Sequence, residues 1–137
     1  MSLYLLDTNI CVHLLKGEYQ IKPKLAEVGV KSCFLSEITI AELLFGIENS
    51  APDRRKQNLE RFNTFQTLFS GRILSIGEAL HEYARQKATL RRIGRPVGEF
   101  DLLIGSTAII RGFILVTRNT KDFSSMNGIQ LENWVDD

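Results

Sequence analysis

Short apolar runs and helical patterns take turns along the whole chain. The runs Leu3–Leu6, Ser32–Ser36, Arg72–Ser75, Phe113–Val116 and Ile129–Glu132 are too short for helices and predict strands. Between them, apolar residues at helical spacing predict helices over Ile10–Lys16, Lys22–Val28, Thr39–Asn49, Pro52–Phe69, Gly77–Ile93 and Glu99–Ile110. Ile40, Leu43, Leu44 and Ile47 form the apolar edge of the third. Leu59, Phe62, Phe65 and Phe69 form that of the fourth. Gly17 and Gly112 mark helix ends. Strands alternating with helices predict an α/β fold with a mostly parallel sheet. Such sheets bind ligands beyond the carboxyl ends of their strands, where the strand order reverses. The residues directly after strands are therefore the ones to inspect.

A chain of 137 residues predicts one domain over 1–137, long enough to bury a core. Its 44% hydrophobic and 24% charged residues exclude disordered and fibrous classes. No apolar run approaches the roughly 18 residues of a membrane span. The opening Met1-Ser2-Leu3-Tyr4-Leu5-Leu6-Asp7 lacks a basic segment and is broken by Asp7, unlike a signal peptide. A cytoplasmic location is the expectation. Net charge is only +1, but it is unevenly spread. Residues 54 to 95 hold ten Lys/Arg against three acids, a local +7, and the remainder carries −6. That basic stretch is either a solvated face or a surface that meets a polyanion.

Four acids fall next to predicted strand ends. Asp7 follows the first strand directly and is equally placed to cap the next helix. Glu42 lies early in the helix after the second strand. Thr39 three residues before it fits a capping box, with Thr39 as the cap. Asp101 opens Glu99–Ile110 on one wheel face with Ile104, Gly105 and Ala108, while Leu102, Leu103, Ile109 and Ile110 cover the other faces. A helix apolar nearly all round is buried. Asp101 is thus expected on a buried, small-residue face, where a carboxylate needs a compensating charge. Asp122 follows Phe113–Val116 through a short polar loop, and its alternative role is to cap a turn beginning at Phe123.

Each acid has an ordinary role open to it, but together they deliver four carboxylates to one sheet edge. Gathered carboxylates cannot all stay ionised without counter-charge. A hard divalent cation such as Mg²⁺ supplies it through oxygen ligands and retained water, and suits phosphodiester chemistry. Zinc is excluded: the two Cys and two His, with His13 and His81 far apart, have no ligand spacing. Phosphate-loop and nucleophile-elbow motifs are absent. Cys11 and Cys33 sit among apolar residues and read as core.

The segments Leu5-Leu6-Asp7-Thr8-Asn9, Thr39-Ile40-Ala41-Glu42-Leu43, Gly98-Glu99-Phe100-Asp101-Leu102-Leu103-Ile104 and Leu115-Val116-Thr117-Arg118-Asn119-Thr120-Lys121-Asp122-Phe123 occur in that order. In residues and spacing they resemble PIN-domain ribonucleases. The resemblance is to the VapC toxins of bacterial toxin–antitoxin pairs, including the branch similar to FitB, and runs through Leu131-Glu132-Asn133-Trp134. It implies a three-layer α/β/α sandwich and Mg²⁺- or Mn²⁺-dependent endonucleolytic cleavage of RNA, tRNA being one target of close relatives.

Matched by position, Asp7, Glu42 and Asp101 are the family's core acids and Asp122 its more variable fourth. Thr117 matches a Ser/Thr beside the metal. Asn9 matches a residue supporting the first Asp, and Glu99 an acid found in part of the family. Gly105-Ser106 replaces a usual Ala-Ala, a swap among small residues that preserves close packing. The resemblance implies Asp7, Asp101 and Asp122 as metal ligands. Glu42 would orient or deprotonate the attacking water, or hold a second metal. Basic residues, among them Arg85, Lys87, Arg91 and Arg92, would hold the RNA backbone. Implied partners are RNA, a cognate antitoxin and a second copy of the chain as a homodimer, with no membrane. The alternatives are an RNA-processing PIN nuclease outside toxin–antitoxin biology and a catalytically dead PIN-fold binding module, against which the intact acids count.

Overall fold

The computed structural model describes residues 1–136. In chain order they form β1 (Tyr4–Leu6), α1 (Thr8–Lys16), α2 (Ile21–Val28), β2 (Cys33–Ser36), α3 (Glu37–Glu48), α4 (Pro52–Leu68) and β3 (Ile73–Leu74). Then come α5 (Leu80–Arg92), α6 (Glu99–Arg111), β4 (Ile114–Val116), α7 (Thr120–Phe123) and β5 (Gln130–Glu132). The five strands lie in the order β3-β2-β1-β4-β5, every neighbouring pair parallel. The chain first builds outward from β1 through β2 to β3. It then returns to the other side of β1 for β4 and β5. The reversal point is therefore the seam between β1 and β4, where Leu6 pairs with Val116.

Alternation of side chains splits the apolar strands between two cores. Leu6, Cys33, Leu35 and Val116 pack with Ile10, Leu25, Phe62 and Phe65 from α1, α2 and α4. Leu5, Leu74 and Leu115 pack with Leu90, Leu102, Ile104 and Phe123 from α5, α6 and α7. α3 serves both, through Leu43 and Ile38. Helices thus cover both faces of the sheet, as the three-layer expectation required. Gly17 and Gly112 end α1 and α6 in the left-handed conformation, at φ 70° and 67°.

Several local expectations are corrected. α3 begins at Glu37, and Ser36 caps it by accepting the Ile38 N–H at 3.1 Å. Thr39 is consequently inside the helix and the capping box does not form. The reason lies in the sheet: Ser36 pairs with Leu74 as the last strand residue, so β2 runs straight into α3. The stretch 77–93 divides into a 3₁₀ turn, Gly77–Ala79, and then α5. Leu44 and Leu59 are exposed, at 39% and 42%, while Phe62, Phe65 and Phe69 are buried. α7 starts at Thr120, so Asp122 is within it and caps nothing at Phe123. Among the described residues, no helix is long and apolar enough to cross a membrane.

Candidate active site

Asp7 continues β1 by one residue, its N–H donating to the Val116 carbonyl at 2.9 Å. That bond places its side chain at the β1/β4 seam, only 4% exposed. Oδ1 accepts the Thr8 N–H at 2.8 Å, so Asp7 does cap α1. Oδ2 accepts from the Thr117 hydroxyl at 2.8 Å and the Asn9 amide at 3.3 Å. Asn9 in turn accepts the Arg118 N–H at 3.1 Å, and Thr117 accepts the Asn119 N–H at 3.0 Å. Capping and the sheet-edge site are thus the same residue in two roles. Burial raises the Asp7 pKa from its ordinary value to about 6, the Thr117 and Thr8 hydrogen bonds oppose the rise, and Asp101 and Glu42 add repulsion.

Glu42 is half-buried on α3, and its Oε1 accepts the Thr8 hydroxyl at 2.6 Å. Thr8 Oγ1 also lies 3.1 Å from Thr39 Oγ1. A hydroxyl has one proton. Thr8 gives its proton to the carboxylate, and Thr39 donates to Thr8. Sequence reasoning passed over Thr8 as a site residue although it stands beside Asp7 in the motif. Its partner is 34 residues away, beyond any local pattern.

Asp101 stands in the first turn of α6, half-buried, with Gly105 and Ala108 buried below it. Burial pushes its carboxyl up, and repulsion from Glu42 and then Asp122 adds to the rise. Asp122 is exposed on α7. Mutual repulsion links the four acids in pairs: Asp7 with Asp101 and Glu42, and Asp101 with Glu42 and Asp122. Among the described residues, no three His, Cys, Asp or Glu side chains stand near enough to chelate one ion.

The donors present are oxygens: carboxylates, with the Thr117 hydroxyl and the Asn9 amide bracing Asp7. An open set of hard donors fits Mg²⁺ or Mn²⁺. Mg²⁺ commonly takes one or two protein carboxylates and keeps several waters. Asp7 has three of its roughly four lone-pair directions engaged, leaving one for a cation.

The remaining predicted residues lie apart. Glu99 turns to α5, where Lys87 Nζ at 2.5 Å and the Tyr83 hydroxyl hold its carboxyl below the usual range. Its hydrogen bonds brace α6 against α5 and do not reach the acids. Arg85 pairs with Glu82 at 2.5 Å and Lys87 with Glu99, so both charges are locally balanced. Arg91 and Arg92 are exposed and, with Tyr83, Ala84, Lys87 and Ala88, line a shallow groove along α5. Both cysteines are buried, and burial pushes Cys33 up to about 11 and Cys11 up as well, which suits core thiols and not nucleophiles.

The PIN-domain family model matches residues 4–129. The tRNA(fMet)-specific endonuclease VapC of Shigella flexneri is 33% identical over 135 residues, covering 98% of this chain and 99% of that relative. This chain belongs to the VapC family of PIN-domain proteins. DNA-bound VapBC from Salmonella typhimurium matches it at TM-score 0.88 and 30% identity, over 98% of this chain and 99% of that one. FitAcB from Neisseria gonorrhoeae also gives TM-score 0.88, at 26% identity, over 96% of this chain and 98% of that one. The expected likeness to both VapC and FitB is therefore present along nearly the whole VapC-type chain.

Proposed function

We propose that this VapC-family chain is a metal-dependent endoribonuclease and the toxin of a toxin–antitoxin pair. One observation carries the reading. Carboxylates from four separate elements stand within range of mutual repulsion, with the most buried, Asp7, at the sheet's reversal point and pushed up to about 6. Asp7 and Asp101 would hold the Mg²⁺ or Mn²⁺, with Asp122 completing the set directly or through water. When bound, the metal lowers the pKa of a water and offsets charge on the phosphoryl oxygens. Thr117 and Asn9 keep Asp7 Oδ2 in register with the cleft. Thr8 fixes Glu42 through Oε1, leaving Oε2 to orient the attacking water and take its proton.

The Shigella relative's name makes tRNA the first substrate class to try. The VapBC and FitAcB complexes support an antitoxin partner, and the family resemblance supports a homodimer. A cleft of about 350 Å³ between α1, α3 and α4 suits an antitoxin segment. Its floor is Leu15, Leu43 and Phe62, and its rim Lys16, Arg54 and Arg61, so an amphipathic acidic helix complements it.

The test is cleavage of total tRNA by the antitoxin-free chain. Chelator should abolish cutting and Mg²⁺ or Mn²⁺ restore it. Glu42→Gln should lower the rate at least about a hundredfold, the usual scale of general-base loss. Undiminished cleavage in chelator would rule out the metal mechanism.

A further inference from the structure

A cluster of planar side chains begins at Arg118, one residue beyond Thr117, the hydroxyl partner of Asp7. The Arg118 guanidinium lies 4.9 Å from the Tyr19 ring centroid. The His13 ring meets Tyr19 edge to face, with centroids 4.6 Å apart at 83°. His13 Nδ1 is 2.9 Å from Glu18 Oε1, and Nε2 is 3.5 Å from Arg118 Nη1. Asp136 stands 3.6 Å from the guanidinium on another side. Even so, Tyr19 is 47% exposed and the Arg118 side chain 37%.

Tyr19 belongs to the turn between α1 and α2. Tyr19 and Gln20 both adopt φ 58°, the left-handed region that L side chains rarely enter. Capping α1 does not require it, because Gly17 already ends that helix and bonds to the His13 and Leu14 carbonyls. Gln20 instead stands at the N-cap of α2, so the pair makes the turn between α1 and α2 and leaves Tyr19 against His13.

Arg118 is also tied to the acids. It follows Thr117 directly, and its N–H is held by Asn9, whose amide reaches Asp7. A guanidinium over an aromatic ring thus extends from a backbone position two hydrogen bonds from Asp7.

We propose that Tyr19 and Arg118 form a stacking subsite for one unpaired base of the RNA, next to the bond that is cut. Unpaired bases stack on aromatic rings and guanidinium planes, and paired ones cannot reach them without being extruded. The proposal rests on the ribonuclease reading, but its test does not need catalysis.

The probe is a set of short single-stranded RNAs with one 2-aminopurine walked along the strand, mixed with the full chain in chelator. Wild type and Tyr19→Phe should quench the fluorescence at one or two positions. Tyr19→Ala should lose the quenching and bind about tenfold or more weaker, the scale of one stacked base. Arg118→Lys keeps the charge but not the plane, and should lose most of the quenching too. Thermal unfolding confirms that each variant is folded. A blunt-ended duplex of the same sequence should bind wild type and Tyr19→Ala alike. Equal quenching by wild type and Tyr19→Ala, or no quenching by wild type at any position, overturns the subsite. Loss in Tyr19→Phe as deep as in Tyr19→Ala also overturns it, since the ring is then not what matters. None of these results touches metal-restored cleavage, by which the ribonuclease reading stands or falls separately.

Discussion

Ser106 is fully buried on α6, and its hydroxyl has no hydrogen-bond partner. An unmatched buried polar group costs about 1–3 kcal/mol. Ser106→Ala should therefore stabilise the protein by about 1 kcal/mol and raise Tm by a few degrees, leaving RNA cleavage unchanged. A lower Tm would mean that the hydroxyl has a partner after all. Its neighbour Gly105 is not equivalent. A Cβ there would come within 2.7 Å of the Met126 sulfur, so the methionine must shift. In the sequence the two positions are simply a pair of small residues. Which one tolerates a methyl depends on Met126, twenty residues downstream, and no local pattern carries that. The acids were legible for the opposite reason. Asp7 follows a strand, and Asp101 and Asp122 lie in the first turns of α6 and α7, so chain order points these three to one edge. Glu42, the sixth residue of α3, reaches Thr8 from one turn farther along its helix. The Thr8 hydroxyl that fixes Glu42, and the turn of Glu99 toward Lys87, come from tertiary contact and were not legible.

Among the elements, α7 is a helix of only four residues, yet it carries Asp122. Gln86 of α5 ties this region down. Its amide donates to the Asn127 carbonyl at 2.9 Å and accepts the Asn127 N–H at 3.1 Å, a pair of bonds like those between strands. The same nitrogen reaches Glu82 at 2.8 Å. Gln86→Leu keeps the bulk of a 5%-exposed side chain but leaves both Asn127 backbone groups unmatched. We expect a loss of about 2–3 kcal/mol in urea unfolding, with faster amide exchange at Asn127. An unchanged midpoint would mean that water replaces the clamp. Gln86 sat unnoticed within a basic stretch, because a clamp is defined by its distant partner. The start of α3 was misplaced for a related reason. Thr39 and Glu42 match a capping box more fully than Ser36 does, but the end of β2 decides where the helix can begin.

At the scale of the whole molecule, the sheet edge holds carboxylates that the fold would rather keep neutral when no cation is present. Asp7 has a folded-state pKa near 6 against 3.8 for the ordinary group, with burial the main cause. Between those values the folded chain keeps a proton that the unfolded chain has released. Stability in chelator should therefore fall as pH rises from about 4 to 6 and level off above that. Two units correspond to roughly 3 kcal/mol, as an order of magnitude. Asp101, raised in the same direction, deepens the fall. Asp7→Asn has no charge to bury. Its carbonyl can still accept the Thr8 N–H, although the Thr117 hydroxyl and the Asn9 amide lose their shared acceptor, which trims the gain. In chelator at pH 7 the variant should therefore melt above wild type, and at pH 4 the advantage should vanish. Excess Mg²⁺ should reverse the order at pH 7, since binding stabilises the native state in proportion to affinity and the variant has lost a charged ligand. The same variant should be inactive on RNA and harmless to cells. Thermal unfolding of both proteins at the two pH values, with chelator and with Mg²⁺, reads all three signs. If Mg²⁺ moved both melting curves equally, Asp7 would be a helix cap and nothing more.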